Sequence, residues 1–179
     1  ADYEQEARYL KAFVRALGDD ERFLIPRLIP HLSATRILGM TYVPGIPIEE
    51  VAHETAAERS RVLGLLFELL MIELFQLRLV QTDPNFANYR YHATTGQVAL
   101  LDFGASRRFK AGLIRSYRNL LVAAIDSDRP AMIRAAESIG YDLGPEGSVY
   151  RETLLDLAEL VLVPLTHNQP YDFGRSDIP

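Results

Sequence analysis

The segment Gln81–Gly104, QTDPNFANYRYHATTGQVALLDFG, constrains the fold more than any other stretch of the chain. It follows a long apolar run, and Pro84 disfavours a helical conformation in the residue before it, so Asp83 belongs to a loop. Asn88 stands five positions on, ahead of the alternating run Tyr89, Arg90, Tyr91, His92. Ala93–Gly96 supplies a turn, and Val98–Leu101 reads as a short apolar strand that delivers Asp102 at its end. The fold must therefore present Asp83 from a loop and Asp102 from a strand end.

That arrangement suits a metal-bound nucleotide phosphate. Phosphoryl transfer needs one carboxylate to orient the attacking hydroxyl or water, and a second, with an amide oxygen, to hold Mg²⁺ against the phosphates. Mg²⁺ takes oxygen ligands, often one or two carboxylates with phosphates and waters. Asn88 and Asp102 can fill the protein's share of such a shell, which leaves Asp83 as the base. Each piece alone is uninformative. The chain carries a second Asp-Phe-Gly, Asp172–Gly174, with no apolar strand before it and no Asp…Asn loop upstream, and it reads as a loop or tail contact. Spacing decides: the kinase catalytic-loop pattern places Asp and Asn five apart, with the metal-binding Asp following on a strand.

QTDPNFAN followed by VALLDFGASR resembles the UbiB family of atypical protein-kinase-like proteins, the AarF/ADCK group tied to ubiquinone biosynthesis. The likeness runs from ADYEQEA to PYDFG and is sharpest at Asp2–Ala7, Tyr42–Pro47 and Gln81–Arg107. It implies an α+β, mainly α fold: the large lobe of a protein-kinase-like domain with the back of the small lobe and short β-hairpins. On that basis residues 1–179 form one partial domain, with 1–43 from the small lobe and hinge and 44–179 the helical large lobe. The resemblance implies ATP (or ADP) and Mg as cofactors. It also implies Glu6 as partner of a nucleotide-binding lysine, and Met40, Thr41, Tyr42 and Val43 along the adenine. The family has an acidic residue where Thr41 stands, so the contact implied there is through the backbone. The lysine's strand, the Ala-rich nucleotide loop and the Lys-x-Gly-Gln segment of the family are absent from these residues, and no Ala-Pro-Glu follows the first Asp-Phe-Gly.

The implied function is that of an atypical kinase or ATPase supporting ubiquinone (coenzyme Q) biosynthesis. Its partners would be nucleotide and either ubiquinone-biosynthesis proteins or lipid-like quinone precursors, with peripheral membrane contact compatible. The implied location is cytoplasmic or inner-membrane-associated in a bacterium, or the mitochondrial matrix face in a eukaryote. Asn85 stands where ordinary protein kinases often have a catalytic-loop lysine. Loss of that cation removes a stabiliser of charge on the transferred group, which favours ATP hydrolysis or a small-molecule or lipid-linked role over protein phosphorylation. Three other readings stay open. One is a phosphotransferase of the aminoglycoside or choline kinase type, against which the lack of His-Gly-Asp counts. Another is a non-catalytic nucleotide-sensing scaffold. The third is a plain structural domain with no nucleotide site.

Composition narrows the classes. Lys plus Arg is 19 against 24 for Asp plus Glu, which argues against nucleic acid as the main partner. With no Cys, thiolate chemistry, disulfides and Cys-based zinc sites are excluded. His31, His53, His92 and His167 are scattered, which gives no transition-metal spacing. No signal or transit segment is read, and the start in a charged helical pattern suggests a piece of a longer protein. The apolar stretch Val62–Val80 carries Glu68, Glu73 and Arg78, and so reads as a buried core helix, not a membrane span.

The remaining expectations are structural. Asp2–Leu17 is an amphipathic helix capped by Asp2 and stopped at Gly18. Phe23–Leu32, with Pro26 and Pro30, holds at most a short edge strand. Thr35–Val43 reads as a better strand, broken by Pro44-Gly45. Ile48–Val51 is a short helix, and a long helix runs from Glu54 or Thr55 to about Leu79, apolar enough to be buried on several sides. Ser106, Arg107, Arg108 and Lys110 read either as an anion-attracting cluster or as an exposed helix start. Leu113–Ile125, Pro130–Ile139 and Tyr150–Val163 complete a helical C-terminal half.

Overall fold

The computed structural model describes residues 2–83 and 85–166, so Asp172–Gly174 and His167 lie outside the described residues. The chain packs as two compact units, Ala1–Arg108 and Phe109–Pro179.

In the first unit, helix α1 spans Tyr3–Leu17. Asp2 caps it, its Oδ1 accepting the Gln5 N–H at 2.9 Å, and Glu4 and Glu6 sit in the first turn where the helix dipole favours acids. Its apolar stripe buries Leu10, Phe13 and Leu17. Gly18 ends the helix in a right-handed conformation, its N–H bonded to Val14 O, not in the left-handed one common at such stops.

A four-stranded sheet lies beside it. Strand β1 is Phe23–Leu24, β2 is Ile46–Pro47, β4 is Tyr89–His92 and β5 is Gln97–Leu100, in the order β1-β5-β4-β2. The expected hairpin is β4–β5, pairing Tyr89 with Leu100 and His92 with Gln97. Its turn closes at Gly96, whose positive φ of 70° suits glycine and whose carbonyl accepts from Arg61 at 2.5 Å. Central β5 buries Val98, Ala99 and Leu100, of which Val98 and Leu100 join Leu10, Phe13, Phe103 and the buried stripe of the next helix in one core.

That helix, α2, spans Ala56–Met71 and is capped by Thr55. It continues as a π-helical segment, Ile72–Leu77, and Arg78 ends it in the left-handed region (φ 52°). Strand β3, Leu79–Gln81, follows at once and pairs antiparallel with β6, Ser106–Arg108.

Three expectations are corrected. Thr35–Val43 is not a strand; it makes only isolated bridges, Ala34 with Ile37 and Met40 with Leu28. Its β-prone side chains find no sheet to pack on, and Ile37 and Tyr42 face solvent. Ser106–Arg108 is not a helix start but a strand, because β3 offers its backbone a partner, and Arg107 and Arg108 stay exposed on it. The long helix is not buried on several sides. Val62, Leu65 and Leu69 are buried, while Leu63 remains 64% exposed and Phe67 and Leu70 are also open to solvent. It also ends sooner than expected, since Leu79 already belongs to β3.

The second unit consists of α3 (Ala111–Ile125), α4 (Arg129–Ile139) and α5 (Val149–Leu162), close to the expected spans. Asp128 caps α4, Pro130 occupies its first turn, and Gly140 ends it in the left-handed region at φ 108°. Ala123, Ala124, Met132 and Leu155 form its core. The small alanines allow close approach of α3 and α4.

Candidate active site

The loop after β3 carries the first candidate residues. Thr82 anchors it to the segment beyond Asp102, its hydroxyl donating to Ala105 O at 2.6 Å. Asn85 then caps a short 3₁₀ turn, Phe86–Asn88, by accepting the Ala87 N–H at 3.0 Å. The turn brings Asn88 back toward Asp83: Asn88 Nδ2 lies 3.5 Å from both Asp83 O and Asp83 Oδ2. These contacts are long, so they orient Asn88 weakly. Its backbone is held better, since Asn88 O accepts from Leu101 N at 2.9 Å, which ties the loop to the strand that delivers Asp102.

Gln81 is the hub of the site. Its side-chain amide donates to the Asp102 carbonyl. Its side-chain oxygen accepts from the Tyr89 hydroxyl at 3.0 Å, and its backbone N–H donates to Glu73 Oε2 at 3.0 Å. Burial is the main reason the Tyr89 phenol is pushed up to about 12, with Glu73 and then Asp83 adding like-charge repulsion.

Asp102 Oδ1 accepts the Gly104 N–H at 2.8 Å, a local turn bond that fixes the carboxylate. Among the described residues nothing hydrogen-bonds Asp102 Oδ2 or Asn88 Oδ1. Glu6 approaches from the first turn of α1. Its carboxyl is raised above the usual range by burial first and by the Asp102 charge second, while the Phe103 backbone N–H works the other way. Below it the Phe13 and Phe103 rings pack with centroids 5.0 Å apart, tilted by 49°. Glu6, Asp83, Asn88 and Asp102 are thus joined through one short stretch of backbone.

Met40–Val43 is not joined to that group by any hydrogen bond among the described residues. Thr41 pairs with Arg27, accepting its N–H at the hydroxyl and donating its own N–H to Arg27 O, both at 2.9 Å. Val43 is buried, and Tyr42 is 85% exposed.

Sequence reasoning singled out neither Gln81, Tyr89 nor Glu73 for the site. Glu73 left a signal, being a charge inside an apolar helical run. Gln81 and Tyr89 left none, because their directions depend on the β3–β6 and β4–β5 pairings. No three His, Asp, Glu or Cys side chains gather as a metal cage among the described residues. Two oxygen ligands, with phosphates and waters for the rest, match what Mg²⁺ accepts.

Residues 1–136 match the ABC1 atypical kinase-like domain. The atypical kinase COQ8B of Rattus norvegicus, named as mitochondrial, is 33% identical over 98% of this chain and 33% of its own length. The mitochondrial atypical kinase coq-8 of Caenorhabditis elegans is 34% identical over 99% of this chain and 24% of its own. The chain therefore spans a third or less of these relatives. The solved structure of the Rv3197–erythromycin complex from Mycobacterium tuberculosis superposes with a TM-score of 0.77 at 24% identity, covering 93% of this chain and 42% of that one. At that identity the likeness is one of fold.

Proposed function

The chain belongs to the ABC1 atypical kinase-like family and has the kinase-like fold, and we propose that it supplies the phosphate-handling part of an atypical kinase or ATPase serving coenzyme Q biosynthesis. The resemblance to the UbiB family is borne out over nearly the whole chain by the domain match and the COQ8 relatives.

The observation that carries the proposal is the pair of open oxygens. Asp102 is held by Oδ1 and Asn88 by its backbone, so that Asp102 Oδ2 and Asn88 Oδ1 remain available on neighbouring segments. These residues fit Mg²⁺ with a nucleotide. The ion, when bound, supplies charge neutralisation at the phosphates. In this reading Asn88 and Asp102 hold the metal, Asp83 accepts the proton of the attacking group, and Glu6 pairs with a lysine from outside these 179 residues. Backbone groups of Met40, Thr41, Tyr42 and Val43 meet the adenine. Thr41 already spends its hydroxyl and N–H on Arg27, so its carbonyl is the group it has left for such a contact.

Asn85 supports hydrolysis, or transfer to a small or lipid-linked acceptor, over protein phosphorylation. It spends its side chain on capping the turn and brings no cation to the phosphate. No helix among the described residues is long and apolar enough to cross a membrane, and the COQ8 relatives are named mitochondrial. An inner-membrane-associated or matrix-face location is part of the proposal.

Thermal unfolding of the full-length protein with and without Mg-ADP tests it. Ligand at a hundred times its Kd stabilises by about 2.7 kcal/mol. The expected result is a metal-dependent shift that Asp102→Asn removes. No shift in the folded full-length protein would overturn the nucleotide reading.

A further inference from the structure

Glu73 is the one buried acidic residue among the described residues, 3% exposed. It sits in the π-helical segment that ends α2, where the wider hydrogen-bonding pattern marks an irregularity common at functional sites. Its Oε1 is buried without a hydrogen-bond partner, and burial pushes its carboxyl up to about 7. An unpartnered buried polar group costs stability that an apolar side chain would not. The carboxyl gains one bond, from the Gln81 N–H to Oε2. That bond fixes the residue whose side chain reaches both the Tyr89 hydroxyl and the Asp102 carbonyl.

We propose that Glu73 is a positioning residue for the phosphate-handling loop. It pins the Gln81 backbone, which aims the Gln81 amide at the Asp102 carbonyl and so sets where the free Asp102 oxygen points. What Asp102 then binds rests on the function proposed above; the linkage from Glu73 to Asp102 does not. Every contact in the relay is short-range: Glu73 to Gln81 through the backbone, Gln81 to Asp102 through the side chain, with Tyr89 holding the other face of the same amide. Glu73 also lines a cavity of about 220 Å³, so a leucine there is accommodated without overpacking.

The test uses the full-length protein with Glu73→Leu, which removes the acceptor, and Glu73→Gln, which keeps an acceptor oxygen of the same reach. Amide hydrogen exchange is followed in peptides covering residues 79–83, 101–105 and, as a control, 10–17. Glu73→Leu is expected to speed exchange by about tenfold in the first two, leave the control within about twofold, and weaken Mg-ADP binding by about tenfold. Glu73→Gln is expected to restore exchange and binding to within about threefold of wild type. A uniform rise across all three peptides, unchanged exchange at 101–105, or equal damage from the two variants would overturn the proposal. Should Glu73→Leu fail to fold, Tyr89→Phe removes only the hydroxyl that holds Gln81, and unchanged exchange at 101–105 in that variant overturns it too. Wild-type protein that binds no Mg-ADP would refute the nucleotide reading alone, since the exchange measurements still decide the role of Glu73.

Discussion

Glu6 and Asp102 converge on Gly104: a methyl group added there would lie 3.1 Å from Glu6 Oε2 and 3.3 Å from Asp102 Oδ1. Such spacings are tighter than ordinary carbon–oxygen contact, so Gly104→Ala must move one carboxylate. Glu6 is the longer side chain and gives first, by a few tenths of an ångström, which shifts the carboxylate that the proposed lysine would meet. The expected outcome is a loss of about tenfold in Mg-ADP affinity, or about 1.4 kcal/mol, with the ligand-free melting temperature nearly unchanged. Calorimetric titration beside a thermal melt checks it, and unaltered affinity would argue against a shared site for the two carboxylates.

Asp83→Asn tests the base proposed for the site. The substitution keeps the size of the side chain and its neighbourhood with Asn88, but not its basicity. Mg-ADP affinity is expected to hold within about threefold while turnover falls by about 10²–10⁴, the range for a lost general base. Single-turnover ATP consumption by the full-length variant is the measurement. Full turnover would remove Asp83 from the chemistry, and a loss of binding equal to that of Asp102→Asn would make it a ligand instead.

The Glu73 carboxyl gives a pH signature. Its folded-state pKa of about 7 lies above the ordinary value of 4.5, so between these the folded state binds the proton more tightly than the unfolded chain. Its contribution to stability is fully present below about pH 4.5 and is lost as pH rises through 7, with a total change of about 3 kcal/mol. Urea unfolding at pH 5, 6.5 and 8 should show that decline in wild type and a flatter profile in Glu73→Gln. Parallel profiles would mean the carboxyl is not buried as described.

In the second unit, Arg129 binds three carboxylates of α5. It meets Glu159 at 2.8 and 3.0 Å, Glu152 at 3.0 Å, and Asp156. Arg129→Met leaves those acids, one turn apart, facing each other without a cation. The melting temperature is expected to drop at low salt, with the gap narrowing at about 1 M salt, where the screening length is about 3 Å. A gap independent of salt would point to lost packing of the arginine stem.

Much of this was legible because it was local. The α1 stripe of Leu10, Phe13 and Leu17, the Asp2 and Thr55 caps, the β4–β5 hairpin and the turn chemistry around Pro130 and Gly140 each follow from a few adjacent residues. What failed depended on partners distant in sequence. Ser106–Arg108 looks like no strand until β3 is laid beside it, and Thr35–Val43 looks like one although nothing continuous pairs with it. The candidate site divides the same way. The Asp83, Asn88 and Asp102 spacing could be read directly, whereas the Gln81 hub required knowing that Glu73, Tyr89 and Asp102 all reach it.

Phe13 tests whether α1 is a support for the site as well as a part of the core. Its ring is fully buried and stacks obliquely on Phe103, the residue between Asp102 and Gly104. Phe13→Ala removes a large apolar group from a dense core, a change worth about 3–5 kcal/mol of destabilisation. Phe13→Leu keeps most of the volume but loses the ring pair, itself worth about 0.5–1.5 kcal/mol. Because Phe103 is the only residue between the Asp102 turn and its Gly104 partner, a loosened ring should also free the Asp102 carboxylate. In Phe13→Leu the expected result is a modest fall in stability, read by urea unfolding, together with weaker Mg-ADP binding, read by titration at a temperature where the variant is fully folded. A stability loss with wild-type affinity would confine Phe13 to the core and leave Asp102 held by Gln81 and Gly104 alone.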